Sequence, residues 1–562
     1  MKGGSEVQAP GGAPSGTCES APFGAKAGGR FLSDLRQEPP WIDILFAAIA
    51  WALYVLWIDA FRYRGLLGED DLYRVLVGLL DGARNGAYFA SATQYGKAFS
   101  FGYIAALYRL ADPRTLADPQ RLMALINAIG FWSAAAGCLC FWLLAWMLYG
   151  LRSATVALLL FAFSPMMLEL GTSGHPILPA FALFAAASCC LLFPARGARA
   201  VVLSFLGGLL LLAALVTRAE ILLALPFVAL TRADLRSPTM FLKSAGRRAV
   251  APALSAAAFF ALKAVWVDST LGTGRLGPFI EQFIRWKDIP IGVFVFTLSC
   301  GIATTAVGLV AAITIVRAAT TAPAAAGQRT ALRYSAIGPL ALIAPPLAFW
   351  IADPRPGRHF ILCLAGVSML AGWLILRRSP ARPLRVYALA LGAVCANQAL
   401  GALTGPLILN YAPSKLIALP GHARHLPRGF PTGSSWGYHR AFVAEQLRTT
   451  AFAKRIRGVC DGKTLVLSLD ATQIFSDLYA VSDPWNAKEL KLGRFPILAA
   501  HIQGRTVLVL SESEGWPRDA AAGALADPAF RGYKLVRDPN TISIYDRAVI
   551  PPGRIARLGC AP

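Results

Sequence analysis

The sequence predicts a mainly α-helical polytopic membrane protein of about eleven transmembrane helices, followed by a small C-terminal periplasmic α/β domain. Three observations predict it. Of 562 residues, 56% are hydrophobic and only 15% are charged, and the mean hydropathy is +0.52, the balance of an integral membrane protein. Apolar runs long enough to span hydrocarbon as helices recur from Trp41 to Leu403. After Gly405 the composition turns to that of a soluble domain. The formal charge of +23 does not point to nucleic acid, because Lys and Arg stand in short clusters between the apolar runs, where they act as topology signals.

Residues 1–40 precede the first run. The Gly, Ala, Ser and Pro-rich opening has no apolar periodicity and reads as a disordered cytoplasmic tail. No apolar core follows Lys2, so it is not a cleavable signal peptide, and Trp41 onward reads as a retained signal anchor.

The membrane domain covers residues 41–405. Its clear runs are Trp41 to Ala60, Leu122 to Tyr149, Ala154 to Leu170, Ile177 to Phe193, Val201 to Val216 and Val250 to Trp266. Ile291 to Val316, Tyr334 to Ile351, Phe360 to Leu376 and Val386 to Leu403 follow. Ile221 to Leu230 is about half the usual length. Counting it places Arg196, Arg199, Arg232, Lys243, Arg247, Arg248, Arg317, Arg377 and Arg385 inside, as the positive-inside rule asks. Merging it with Val201 to Val216 would move every later basic loop outside. The first outer loop, residues 61–121, is the exception, with Arg62, Arg64, Arg74, Arg84 and Arg109.

Residues 406–562 form the outer domain. Strand-like runs lie at 464–468, 505–510, 534–536 and 541–545, alternating with helical stretches. Cys460 and Cys560 bracket these strands, and an oxidising compartment would allow a disulfide to close the domain.

Three carboxylates, Glu69, Asp70 and Asp71, stand between the first spanning helix and the stripe Leu72, Val75, Leu76, Leu79, Leu80, which suits a helix lying on the membrane surface. On a purely structural reading, Asp70 or Asp71 caps that helix and its neighbours favour its positive end. On a functional reading, one of the crowded acids serves as general base toward an acceptor hydroxyl. The two are compatible.

A second group falls on the same predicted side: Glu169, His175, Arg218, Glu220, Arg355, Arg358 and His359. Charges at a membrane edge are costly and are paired or functional. Arg218 and Glu220 read either as a local contact at a helix break or as site residues. Arg355, Arg358 and His359 read either as a solvated Pro/Gly-rich turn or as a clamp for a lipid phosphate, for which the guanidinium fork is suited. His175, between Gly174 and Pro176, has no metal-site spacing around it.

Taken together, the first helix followed by Glu69-Asp70-Asp71-Leu72-Tyr73-Arg74, the Leu79-Leu80-Asp81-Gly82 after it, Ser164-Pro165 with Gly171 to Pro176, Arg358-His359-Phe360 opening a late helix, and the outer C-terminal domain resemble the GT-C superfamily of membrane glycosyltransferases. The likeness is to bacterial enzymes of the protein O-mannosyltransferase and aminoarabinose transferase type. It implies inverting transfer of a sugar from a polyprenyl-phosphate donor to a glycan, glycolipid or protein acceptor at the periplasmic face of the bacterial inner membrane. Asp70, ranked ahead of Asp71 and Glu69, would take the acceptor proton. Arg358, Arg355, His359 and Arg218 would hold the donor phosphate, with Tyr73, His175 and Glu220 lining the site. The family has metal-dependent and metal-independent members, so a divalent cation stays open and no metal is assigned. The alternatives are a multi-pass transporter, against which stands the lack of a clear internal repeat, and an O-antigen polymerase or ligase.

Overall fold

The computed structural model describes residues 41–60, 62, 100–117, 119–172, 174–233, 237–265, 289–321, 326–351, 357–378 and 383–411, together with strands at 464–467, 506–510, 533–542 and 552–560. The predicted tail, the acidic triplet, the surface helix after it and Cys460 lie outside the described residues.

The first apolar run becomes α1 (Trp41–Ala60). α2 (Phe101–Leu110) and α3 (Pro113–Ala117) lead into α4 (Pro119–Tyr149), the longest helix of the bundle. The run predicted at 154–170 is broken into α5 (Leu151–Ala162) and α6 (Pro165–Leu170). Pro165 has no N–H to continue the ladder. Ser164 seals the break, its hydroxyl donating to the Phe161 carbonyl at 2.8 Å and accepting from the Met167 N–H at 3.2 Å. α7 (Ile177–Leu192) and α8 (Ala198–Thr217) follow within three residues of expectation.

The half-length run is a 3-10 turn, Ala219–Ala224, continuing into α9 (Leu225–Leu230). α10 (Pro238–Lys263) starts well before the predicted 250, because Ser237 caps it by accepting from the Met240 N–H and Pro238 sits where a missing N–H costs nothing.

The run predicted at 291–316 as one crossing is two helices, α11 (Ile289–Cys300) and α12 (Ile302–Thr321), bent by 100°. Gly301 at the bend has φ +89, and a β-carbon there would overlap the Asn397 side chain. Asn397 in turn holds the start of α12, accepting from the Thr304 N–H at 3.1 Å and donating to the Thr304 hydroxyl at 2.7 Å. α13 (Ala326–Trp350), a 3-10 turn at Gly357–Phe360, α14 (Ile361–Arg378) and α15 (Pro383–Tyr411) complete the bundle. Among the described residues three helices are long and apolar enough to cross a membrane unaided, or four with the bent pair, and six further apolar helices are shorter.

α5 is the hub: every residue from Leu151 to Ala162 except Arg152 is buried. It meets α14 so closely that a β-carbon at Gly372 would come 2.7 Å from the Ser153 carbonyl. Phe161 stacks between Phe141 of α4 and Phe181 of α7, with centroids 4.3 and 5.2 Å away. α1 is tied to this hub by Trp51 Nε1 donating to the Ala135 carbonyl at 2.9 Å and Tyr54 donating to the Met167 carbonyl at 3.1 Å.

One end of the bundle is locked by a polar network that hydropathy does not reveal. Buried Asp43 accepts from Arg152 at 3.2 Å and from the Tyr387 hydroxyl, joining α1, α5 and α15. Phe46 stacks on the Tyr387 ring at 4.2 Å. At the same end Arg232, at φ 62, donates to the carbonyls of Leu192 and Met147, closing the C-terminal ends of α7 and α4.

The four strands are β1 (Thr464–Leu467), β2 (Thr506–Leu510), β3 (Tyr533–Ile542) and β4 (Pro552–Cys560), in the order β1-β2-β4-β3. β1 pairs parallel with β2, aligning Thr464 with Thr506, whereas β4 pairs antiparallel with both β2 and β3. The runs predicted at 534–536 and 541–545 are replaced by one strand, β3, irregular between Asp538 and Thr541, and β4 was not anticipated. The helical stretches predicted between strands lie outside the described residues.

Candidate active site

The opposite end of the bundle, where α1 ends and α8 turns back, gathers the remaining buried charge. α8 stops at Thr217 because Arg218 is extended, at φ -156 and ψ 114, and its N–H still bonds to the Ala214 carbonyl at 2.9 Å. The 3-10 turn that follows brings Glu220 back toward Arg218. Arg218 Nη2 and Nε approach Glu220 Oε1 at 2.9 and 3.2 Å, and Nη1 donates to the Ser100 hydroxyl at 3.4 Å. Ser100 immediately precedes α2, so the far end of the first loop is anchored at the same cluster.

His359 arrives from the other side of the bundle. Its Nδ1 lies 3.1 Å from the same Glu220 oxygen, and its ring stacks on Trp350 with centroids 4.2 Å apart. The turn Gly357–Phe360 that carries it is fixed by Phe360, buried edge-on against Phe296 at 5.4 Å. Burial raises the Glu220 carboxyl, but the Arg218 charge, then His359 and finally His175, outweigh burial and hold it well below the usual carboxylate range. Glu220 is therefore an anion at neutral pH, clasped by the Arg218 guanidinium and the His359 imidazole.

His175 completes the floor. It is fully buried in the connection between α6 and α7, and its Nδ1 accepts from the Ile177 N–H at 3.1 Å. The connection can come this close because Gly130 and Gly174 meet backbone to backbone, with no room for a β-carbon on either. Tyr103, on α2, is buried with no partner for its hydroxyl among the described residues.

Of the residues singled out from sequence, Arg218, Glu220 and His359 are in contact, and His175 is near enough to act on the Glu220 charge. Arg358 precedes His359 in the 3-10 turn. Glu69, Asp70, Asp71, Tyr73 and Arg355 lie outside the described residues. Both flanks of the loop bearing the acids are nonetheless at this end. Ile58 packs beside Gly171, Arg62 lies over the Phe131 ring at 5.3 Å, and Ser100 holds Arg218. Sequence reasoning missed Ser100 and Trp350. Trp350, an aromatic closing an apolar run just before the Pro/Gly turn, carried a readable signal, whereas Ser100 carried none.

Among the described residues no three His, Cys, Asp or Glu side chains gather in a metal-binding group. What the cluster offers is a guanidinium and an imidazole set by one carboxylate at a helix break, an arrangement suited to an anion at the membrane edge.

The arrangement of helices is shared with solved membrane proteins. Over 92% of this chain and 98% of its own, the structure of ArnT from Cupriavidus metallidurans bound to undecaprenyl phosphate superposes with a TM-score of 0.52 at 14% identity. The chain shares the fold of that ArnT structure. The apo state of the same ArnT gives 0.50 at 15% identity over the same shares. The archaeal oligosaccharyltransferase AglB from Archaeoglobus fulgidus, in complex with an inhibitory peptide and a dolichol-phosphate, gives 0.47 at 13% identity, covering 92% of this chain and 77% of that one. No family model and no curated protein matches the sequence. Within this fold, the Arg218–Glu220–His359 cluster stands at the end of the bundle to which the first loop returns.

Proposed function

We propose that this chain transfers a sugar from a polyprenyl-phosphate-linked donor to an acceptor hydroxyl at the periplasmic face of a bacterial inner membrane, in cell-envelope glycan or glycolipid assembly. The observation that carries the reading is the largely buried Arg218–Glu220–His359 cluster, placed where both flanks of the loop bearing Glu69, Asp70 and Asp71 return.

The chemistry needs a base for the acceptor and a partner for the departing phosphate. Asp70, with Asp71 and Glu69 beside it, takes the acceptor proton as the acceptor oxygen bonds to the anomeric carbon. The bond from that carbon to the phosphate oxygen breaks, and polyprenyl phosphate leaves with the electron pair. Arg218, Arg355, Arg358 and His359 meet the charge that develops on that phosphate, while Glu220 keeps Arg218 and His359 turned toward the site. Tyr73 and His175 line the sugar side. A lipid-borne donor suits this geometry, because its prenyl chain stays in the bilayer while the phosphate reaches the membrane edge.

Charge supports the orientation: Arg196, Arg199, Lys243, Arg247, Arg317 and Arg377 stand at the end opposite the cluster, as the positive-inside rule asks of a cytoplasmic end. On that orientation the chain beyond α15 would be a periplasmic α/β domain, where an oxidising compartment would allow Cys460 and Cys560 to pair. A transporter has one observation in its favour, the helix broken by 100° at Gly301, but Asn397 occupies that break.

The test is mass spectrometry of envelope glycans and glycolipids from cells lacking the protein and restored with wild type or Asp70→Asn at matched membrane levels. A sugar lost on deletion and returned by wild type alone is the expected result. No glycan change on deletion, in cells that normally make the protein, would overturn the transferase reading.

A further inference from the structure

α8 and α10 lie side by side and run in the same direction, both starting at the end opposite the cluster. Their register is fixed by Ser255, whose hydroxyl donates to the Gly208 carbonyl at 3.0 Å. Eight residues back along each helix, Ala200 is level with Arg247, so Arg199 and Arg247 stand at about the same height, with Lys243 about 6 Å further out at 1.5 Å per residue.

Helical periodicity sorts these side chains. On α8, Arg199, Val202, Leu206 and Leu209 recur at i, i+3, i+7 and i+10; on α10, Lys243, Arg247, Val250 and Leu254 recur at i, i+4, i+7 and i+11. Each stripe is basic at its start and apolar beyond, and all eight residues are exposed. Winding outward from the Gly208–Ser255 contact puts both stripes on one flank of the pair. The other side of α8 is taken by α7, where Leu191 fills the space over Gly207. Arg248 points away from this flank, close enough to Arg232 to add to the burial that lowers the latter to about 10.

We infer that this flank binds an anionic glycerophospholipid, its phosphate held by Arg199, Lys243 and Arg247 and its acyl chains lying on Val202, Leu206, Leu209, Val250 and Leu254. A rule that places basic residues on one side of a membrane explains their sign. It does not explain why three of them, with no acidic partner among the described residues, are aligned across two helices directly above exposed apolar stripes. The parallel starts of both helices add positive potential at the same height, and basic groups at a bilayer surface favour anionic lipid. The inference is independent of the transferase reading, since it concerns the far end of the bundle.

The test is native mass spectrometry of the purified full-length protein equilibrated with equal phosphatidylglycerol and phosphatidylcholine. Wild type is expected to retain phosphatidylglycerol selectively. Arg247→Gln is expected to lower that selectivity about fivefold, and Arg199→Gln/Lys243→Gln/Arg247→Gln on the order of a hundredfold. Arg377→Gln, at the same end but over the Trp373 ring, should leave it unchanged. Soluble glycerol phosphate should not compete, lacking chains for the apolar stripes. Selectivity unchanged in the folded triple variant, an equal loss in Arg377→Gln, or full competition by glycerol phosphate would each overturn the inference. The single variant keeps the test decisive should the triple variant fail to fold.

Discussion

Glu220 and His359, 139 residues apart in sequence, meet at 3.1 Å across the mouth of the helical bundle. The contact joins the turn after α8 to the turn before α14, and Arg218 shares the same carboxylate oxygen. The charge on Glu220 is thus common to both halves of the cluster.

Removing that charge should be costly. Glu220→Gln takes away the carboxylate that Arg218 and His359 share, and loss of one member of a mostly buried pair costs about 3 kcal/mol. Chemical denaturation in detergent at neutral pH should register a loss of that order, with the proposed sugar transfer falling alongside it.

Acid should produce the same effect reversibly. The carboxyl is depressed in the folded protein below its ordinary 4.5. Its stabilisation is therefore fully present above 4.5 and is lost progressively as pH falls below that value toward the folded one. Melting temperatures between pH 6 and pH 3 should fall more steeply for wild type than for Glu220→Gln. Parallel curves would show that the carboxylate is not held by its neighbours.

The ring beneath His359 can be tested by size and shape. Trp350→Ala should cost about 3 kcal/mol, since it empties a buried aromatic site. Trp350→Phe keeps a stacking surface and should cost less than half as much. A Phe variant as damaged as the Ala variant would mean that the contact with His359 at 4.2 Å is not what the indole contributes.

Two glycines separate backbone demand from crowding. Gly301→Ala forces a side chain onto φ +89 and into Asn397, and should destabilise by about 2 kcal/mol. Gly392, within α15 and with nothing near its β-carbon position, should accept alanine without loss. Thermal melts of the two variants, made in parallel, provide the comparison.

At the far end, Tyr387→Phe and Asp43→Asn should be strongly non-additive. A double-mutant cycle on unfolding should give a coupling of about 1 to 3 kcal/mol, while glycan restoration by Tyr387→Phe stays at the wild-type level.

Hydropathy made most of the bundle legible, because lipid and protein interior both demand apolar side chains and only length distinguishes a crossing. The run from Val201 to Val216 lost almost nothing in becoming α8. The run from Ile291 to Val316 hid its bend, since no average over apolar residues senses a positive φ at Gly301 or an asparagine arriving from 96 positions later. At the site, Arg218, Glu220 and His359 stood out as charges at helix ends, but their pairing depends on which helices are neighbours. Asp43 went unnoticed because a single acid in the first turn of a helix is ordinary; its meaning comes only from Arg152 and Tyr387. β4 escaped because Pro552, Gly553 and Gly559 mask its strand pattern.

The Asp43–Tyr387 bond spans 344 residues of chain, which sets a schedule for biosynthesis. At about 5 to 20 residues per second, Tyr387 is made roughly 17 to 70 s after Asp43. Arg152 emerges early enough to shelter the carboxylate in the meantime. The opening helix therefore waits in the bilayer, half satisfied, until the closing helix is translated, and a chain truncated before α15 leaves the translocon with that acid still one partner short.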